Sequence, residues 1–100
     1  MTINKDRSIT DLLSKLSYAS RGWTLVDHWE ADLFAIGLAS DRMPGRLVYV
    51  STYLKEPGRY FFECECVPPG AEATHYETSE TGDNVDATSL QRVLCEWLGE

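Results

Sequence analysis

Ile9, Leu12, Leu13 and Leu16 recur at intervals of three and four residues near the start of the chain. That spacing places four apolar side chains on one helical face. Ser8 with Asp11 three positions later forms a capping sequence, and Gly22 directly after Arg21 is a stop signal. A helix is therefore expected over residues 8–20. From residue 23 the period of the pattern changes to two. Residues 23–29, 33–39, 46–53 and 59–67 alternate in polarity or size and are rich in aromatic and β-branched types, so four strands are expected. Met43-Pro44-Gly45 and Glu56-Pro57-Gly58 suit type II turns, and Glu30-Ala31-Asp32 can turn between the first two strands. Such short links join antiparallel neighbours.

Beyond the break at Pro68-Pro69-Gly70 the pattern weakens. Residues 72–78 alternate without a strong apolar face, which predicts a polar edge strand or a loop. Residues 79–84 are Ser, Glu, Thr, Gly, Asp and Asn, the composition of a turn. A second helix begins near Asp86 or Thr88, where Thr88 with Gln91 offers a capping box and Asp86 an alternative cap. Leu90, Val93, Leu94, Trp97 and Leu98 form its apolar face. The fold class expected is α+β in one domain over residues 1–100. An antiparallel, meander-like sheet of four or five strands has both helices packed on one face. Phe34, Ile36, Leu38, Val48 and Val50, extended by Phe62 and Cys64, are expected to face the helices. Tyr49, Tyr53, Phe61, Glu63 and Glu65 then occupy the opposite face, since a one-residue slip inverts every side chain.

A chain of 100 residues has room for a single domain, and its 43% hydrophobic and 25% charged content is that of a globular protein. No apolar run is long enough for a membrane-spanning helix, and the opening MTINKDRSITD has no apolar core of a secretory signal. The odd count of three cysteines, Cys64, Cys66 and Cys95, fits a reducing cytoplasm, with the thiols as small buried hydrophobes. The net charge of −7 is unevenly spread. Residues 1–60 hold eight bases and seven acids, whereas residues 61–100 hold nine acids and one base, Arg92. That half repels a phosphate backbone or an anionic membrane and attracts a basic protein.

Little in the sequence promises chemistry. His28, Glu30 and Asp32 have the composition of a metal or acid–base set, but a turn scatters them and the other histidine, His75, is distant in sequence. Cys64-Glu65-Cys66 is not a zinc pair, and the adjacent glutamates disfavour a thiolate. No nucleotide-binding or hydrolase motif is present. No catalytic residue, metal or cofactor is therefore expected. The aromatic residues offer more, because Tyr49, Tyr53 and Phe61 beside Glu63 and Glu65 would form an aromatic patch edged with acid, a composition suited to binding protein.

The stretches HWEADLFAIGLAS, RLVYVSTY and GRYFFECE carry a Trp-acid turn, a Gly-bearing strand and a strand ending in Glu-x-Glu. Over roughly residues 23–66 this resembles the small bacterial immunity proteins of polymorphic toxin systems. The resemblance implies a non-catalytic inhibitor that binds a toxin domain stoichiometrically, and it carries no functional residue over by position. An acidic domain suits a basic toxin. The residues expected to supply charge are Glu63, Glu65, Glu72, Glu77, Glu80 and Asp83, with Tyr49, Tyr53 and Tyr76 as anchors. The alternatives are a small acidic secretion chaperone, which would be a homodimer with an apolar groove, or an α+β domain with no catalytic role.

Overall fold

Asp6, one turn before the first expected apolar residue, starts the first helix. In the computed structural model, which describes residues 4–27, 30–68, 70–72 and 75–99, α1 spans Arg7–Leu16. The Asp6 carboxylate accepts from the Ser8 backbone N–H at 3.0 Å and from the Ser8 hydroxyl at 2.6 Å. Ser8 is thus the partner of the cap and not the cap itself. Carboxylate beats hydroxyl here because its charge also meets the positive end of the helix dipole. The helix stops at Leu16 and not at residue 20, because Ser17 turns left-handed (φ 50°). A 3-10 turn, Tyr18–Arg21, follows and ends at Gly22, the stop that the sequence marks. Arg21 Nε donates to the freed Leu16 carbonyl at 2.7 Å.

The sheet is an open antiparallel meander in the order β1-β2-β3-β4-β5. Its strands are β1 (Trp23–Val26), β2 (Ala35–Ser40), β3 (Arg46–Ser51), β4 (Tyr60–Cys66) and β5 (Glu77–Val85). The helix α2 (Ala87–Leu98) closes the order. Both Pro-Gly turns form as expected: Arg46 N–H donates to Met43 O and Arg59 N–H to Glu56 O, with Gly45 and Gly58 at φ 86° and 80°. The register pairs Leu25 with Leu38, Leu38 with Val48, and Val48 with Cys64, so one face is apolar across four strands. That face meets Ile9, Leu12, Leu13 and Leu16 of α1 and Leu90, Leu94 and Leu98 of α2 in one buried cluster. Val93 and Trp97 pack against its margin. Both helices therefore share the face assigned to them by periodicity.

Three further expectations need correction. β1 ends at Val26, and the expected continuation through His28 and Trp29 lies outside the described residues. β2 starts at Ala35, so Phe34 precedes the strand; it is half-buried against Tyr53 and is not a core residue. The expected turn over residues 79–84 is the middle of β5. Its sequence is turn-like, but the open edge of β4 offers a ladder of hydrogen bonds, and an edge strand tolerates a polar sequence. Two register shifts break the pairing, and Gly82 lies opposite the core ring of Phe62. Of the expected strand over residues 72–78, Ala73 and Thr74 lie outside the described residues, as does Pro69 of the break before it. Of the two caps offered for α2, Asp86 is the one used, accepting from Ser89 N–H at 2.8 Å.

The last turn of α2 carries no cation. Its exposed carbonyls are instead met by donors from the sheet. Arg46 donates to Trp97 O at 3.0 Å, Ser40 to Leu98 O, and both Trp23 Nε1 (2.8 Å) and Arg42 (2.9 Å) to Gly99 O. Arg46 also stacks on the Trp97 ring at 4.3 Å. These bonds satisfy groups a helix end leaves open and fix α2 over the sheet. None of the described helices is long and apolar enough to cross a membrane.

Candidate functional site

The face of the sheet turned away from the helices carries Tyr49 at its centre. The register sets Tyr49 between Gly37 on β2 and Glu63 on β4, and Leu47 between Ala39 and Glu65. The facing residues on β2, Gly37 and Ala39, are small, and the tyrosine ring leans on Phe61 in an edge-to-face contact with centroids 6.2 Å apart. The loop before β2 borders the same face. Asp32 Oδ1 accepts from Phe34 N–H at 2.9 Å, an Asx turn that directs Leu33 and Phe34 outward. Phe34 meets Tyr53 with centroids 5.8 Å apart. The result is a groove of about 580 Å³ lined by Asp32, Leu33, Phe34, Tyr49, Ser51 and Tyr53.

Two residues near the N-terminus hold the groove wall. Lys5 is nearly buried and donates to Asp27 Oδ1 at 2.9 Å and to Asp32 O at 2.7 Å. Asp6 N–H donates to Leu33 O at 2.8 Å. The start of the chain thereby fixes both ends of the segment that supplies Leu33 and Phe34.

Electrostatics single out Tyr49. Burial pushes its phenol above the ordinary value, and the carboxylates of Asp32, Glu63 and Glu65 push it further, against a hydrogen bond with Ser51 that acts the other way. Asp32, Glu63 and Glu65 thus bring negative charge to the side of the sheet that carries Tyr49, a setting that favours a cation over an anion. Cys64, on the opposite face, has its thiol pushed up to about 12 by burial and by Glu80. The neighbours in sequence, Glu63 and Glu65, point away from it, so the glutamate acting on this thiol lies across the strand pair. Among the described residues no three His, Cys, Asp or Glu side chains converge to hold a metal. His28, from the His28, Glu30 and Asp32 set, is outside them.

The expected site residues divide into three groups. Tyr49, Glu63 and Glu65 share the outer face, and Tyr53 stands at its end beside Phe34. Glu77 and Glu80 pair with Cys66 and Cys64, so they project on the helix side of the exposed edge strand. Asp83 is bound to Lys55 at 2.6 Å, Glu72 is in an exposed loop, and half-buried Tyr76 lies near Gly45 and Val67. No protein-family model matches the chain, and no curated protein or solved structure matches it either. Sequence reasoning missed Asp32, Leu33 and Phe34 as groove residues, because Phe34 continued the alternation of β2. It also missed Lys5, whose role depends on a contact 22 residues away.

Proposed function

We propose that this chain is a non-catalytic, stoichiometric binding domain of the immunity type, inhibiting a basic toxin domain in the cytoplasm. The observation that carries the reading is the Tyr49 groove, an aromatic hollow lined by Asp32, with Glu63 paired to Tyr49 on the next strand and Glu65 two residues further along it. A toxin that acts on nucleic acid presents Lys and Arg around its own active cleft, because those residues neutralise phosphate. A cationic side chain of that cleft would enter the groove, and the bulk of the chain would cover the rest. The acidic final forty residues steer the encounter, while the aromatic anchors set the lifetime of the complex. Glu77 and Glu80, on the other side of the sheet edge, belong to steering and not to the groove.

The test uses the whole chain as bait in its native cell, at low and at high salt, followed by titration with the captured protein. One basic protein held in a one-to-one ratio, released by salt and inhibited on binding, supports the proposal. The paired change Glu63→Gln with Glu65→Gln should then weaken binding by at least about tenfold, with the unfolding midpoint unchanged. Binding that is indifferent to this pair refutes the use of the groove. Capture of unfolded or secreted clients in place of a folded toxin would turn the reading to a secretion chaperone.

A further inference from the structure

The loop between β3 and β4 is made of two successive turns. In the second, Gly58 takes the left-handed conformation at φ 80°. In the first, closed by Lys55 N–H to Thr52 O at 3.1 Å, the corresponding position is Leu54, at φ 56°. A leucine is strained there where glycine is not. Leu54 is also 86% exposed, so packing within the chain returns nothing for that strain. In an exposed leucine, strain of this kind points to a role beyond the local fold. Tyr53 (59% exposed) and Leu33 (42%) lie at the same end of the molecule. Beside Leu54 a cavity of about 590 Å³ opens between the start of α1 and this loop, with Phe34, Tyr53 and Tyr60 in its lining.

We propose that this end is a self-association surface, in which Leu54 of each copy enters the cavity of the other across a two-fold axis. A protruding apolar residue on the rim of an apolar cavity is self-complementary under two-fold symmetry, since one contact generates its twin. Charge favours a second copy at this place. Around the cavity Arg7, Lys15, Lys55 and Arg59 stand with Asp6, Asp11 and Glu56, a near balance of charge that opposes an identical face far less than the acidic rest of the chain does. Elsewhere the net charge of −7 repels an identical chain. Tyr49, Glu63 and Glu65 are not part of this cavity, but Phe34 and Tyr53 line both it and the groove; Leu54 lies outside the groove, so its substitution separates self-association from the toxin-binding reading.

Sedimentation velocity and light scattering across about 1 µM to 1 mM would test it, with Leu54→Gly as the deciding variant. Glycine accepts the left-handed conformation, so the monomer keeps its unfolding midpoint at the lowest concentration while the protruding side chain is gone. The expected result is a wild-type dimer whose dissociation constant rises at least about tenfold in Leu54→Gly. A wild type that remains monomeric throughout, or a Leu54→Gly chain that associates as tightly as wild type, overturns the proposal.

Discussion

Gly82→Ala is a single methyl group added where the sheet has no space for it. Gly82 lies on β5 opposite Phe62, and a Cβ there would stand 2.3 Å from one ring carbon of Phe62, 2.7 Å from the next and 3.1 Å from a third. Unstrained carbon contacts lie at about 3.5–4.0 Å, so the ring or the strand must retreat by about 1 Å. The ring is 3% exposed and belongs to the central cluster, so its retreat disturbs the core. Overpacking of this kind costs about 1–3 kcal/mol, offset by about 0.4–1 kcal/mol from the stiffer unfolded chain. The net expectation is a loss of about 1–2 kcal/mol, with the melting temperature falling by about 4–8 °C per kcal/mol. Gly82 is not among the glycines at positive φ, so packing is tested without backbone strain. Urea unfolding followed by tryptophan fluorescence measures the loss. A parallel Phe62→Leu variant completes a cycle, in which the double change should lose at least about 0.5 kcal/mol less than the sum of the singles. A Gly82→Ala chain as stable as wild type, or strict additivity in the cycle, would refute the assignment of this glycine to the Phe62 ring.

Arg46→Met removes both the stacking on Trp97 and the donor to the Trp97 carbonyl, and should cost about 1–3 kcal/mol in the same urea assay. Arg92→Met, on the exposed side of α2, should stay within about 0.5 kcal/mol; equal losses would show that Arg46 does not hold the helix end. The pH profile of the unfolding midpoint should fall at both ends. Asp6, Asp83 and Asp86 are held below the ordinary 3.8 by hydrogen bonds from Ser8, Lys55 and Ser89 respectively. Their contribution is therefore complete above pH 3.8 and is lost as pH falls through their lower folded values. Cys64 runs the other way. Its thiol rises from 9.0 to about 12 on folding, so its contribution is complete below pH 9.0 and is lost on the way to pH 12. Cys64→Ala should flatten part of that alkaline limb, and a wild-type midpoint that rises above pH 9.0 would contradict the burial of this thiol.

The elements whose identity rests on local pattern were legible in the sequence. Ile9, Leu12, Leu13 and Leu16 are all buried on the face their spacing predicts, and the two Pro-Gly turns have the expected glycine conformations. The pairing of Tyr49 with Glu63 was also within reach, because alternation fixes a face and short turns fix the neighbour. The failures share a cause. Residues 79–84 are a strand because β4 offers them a partner, and no local preference encodes that offer. Phe34 obeys the alternation of β2 yet falls one residue before the strand, where Asp32 redirects the chain by an Asx turn. Ser8 reads as a cap because serine is common there, but Asp6 is close enough to take its place. Lys5 and the donors that meet the end of α2 act through contacts of long sequence separation, for which single-residue chemistry gives no sign.

Those long contacts also account for how the charge imbalance reaches the surface. Lys5, Arg42, Arg46 and Lys55 direct their charged ends to carbonyls or carboxylates of the same chain. A cation used in this way is poorly placed to neutralise an approaching partner. Of the acids, Asp6 and Asp86 cap helices and Asp83 takes Lys55, whereas Glu77 and Glu80 stand exposed on the edge strand. The scaffold thus uses these four bases and several aspartates for cohesion and leaves the glutamates of the edge strand facing outward. The groove gains from the same arrangement, because Lys5 and Asp6 fix the Leu33–Phe34 wall before any ligand arrives. A wall already ordered loses little further freedom on binding, so more of the contact energy appears as affinity. On the binding function proposed above, discrimination between partners falls to charge and fit at Tyr49, where Asp32, Glu63 and Glu65 favour a cation and oppose an anion.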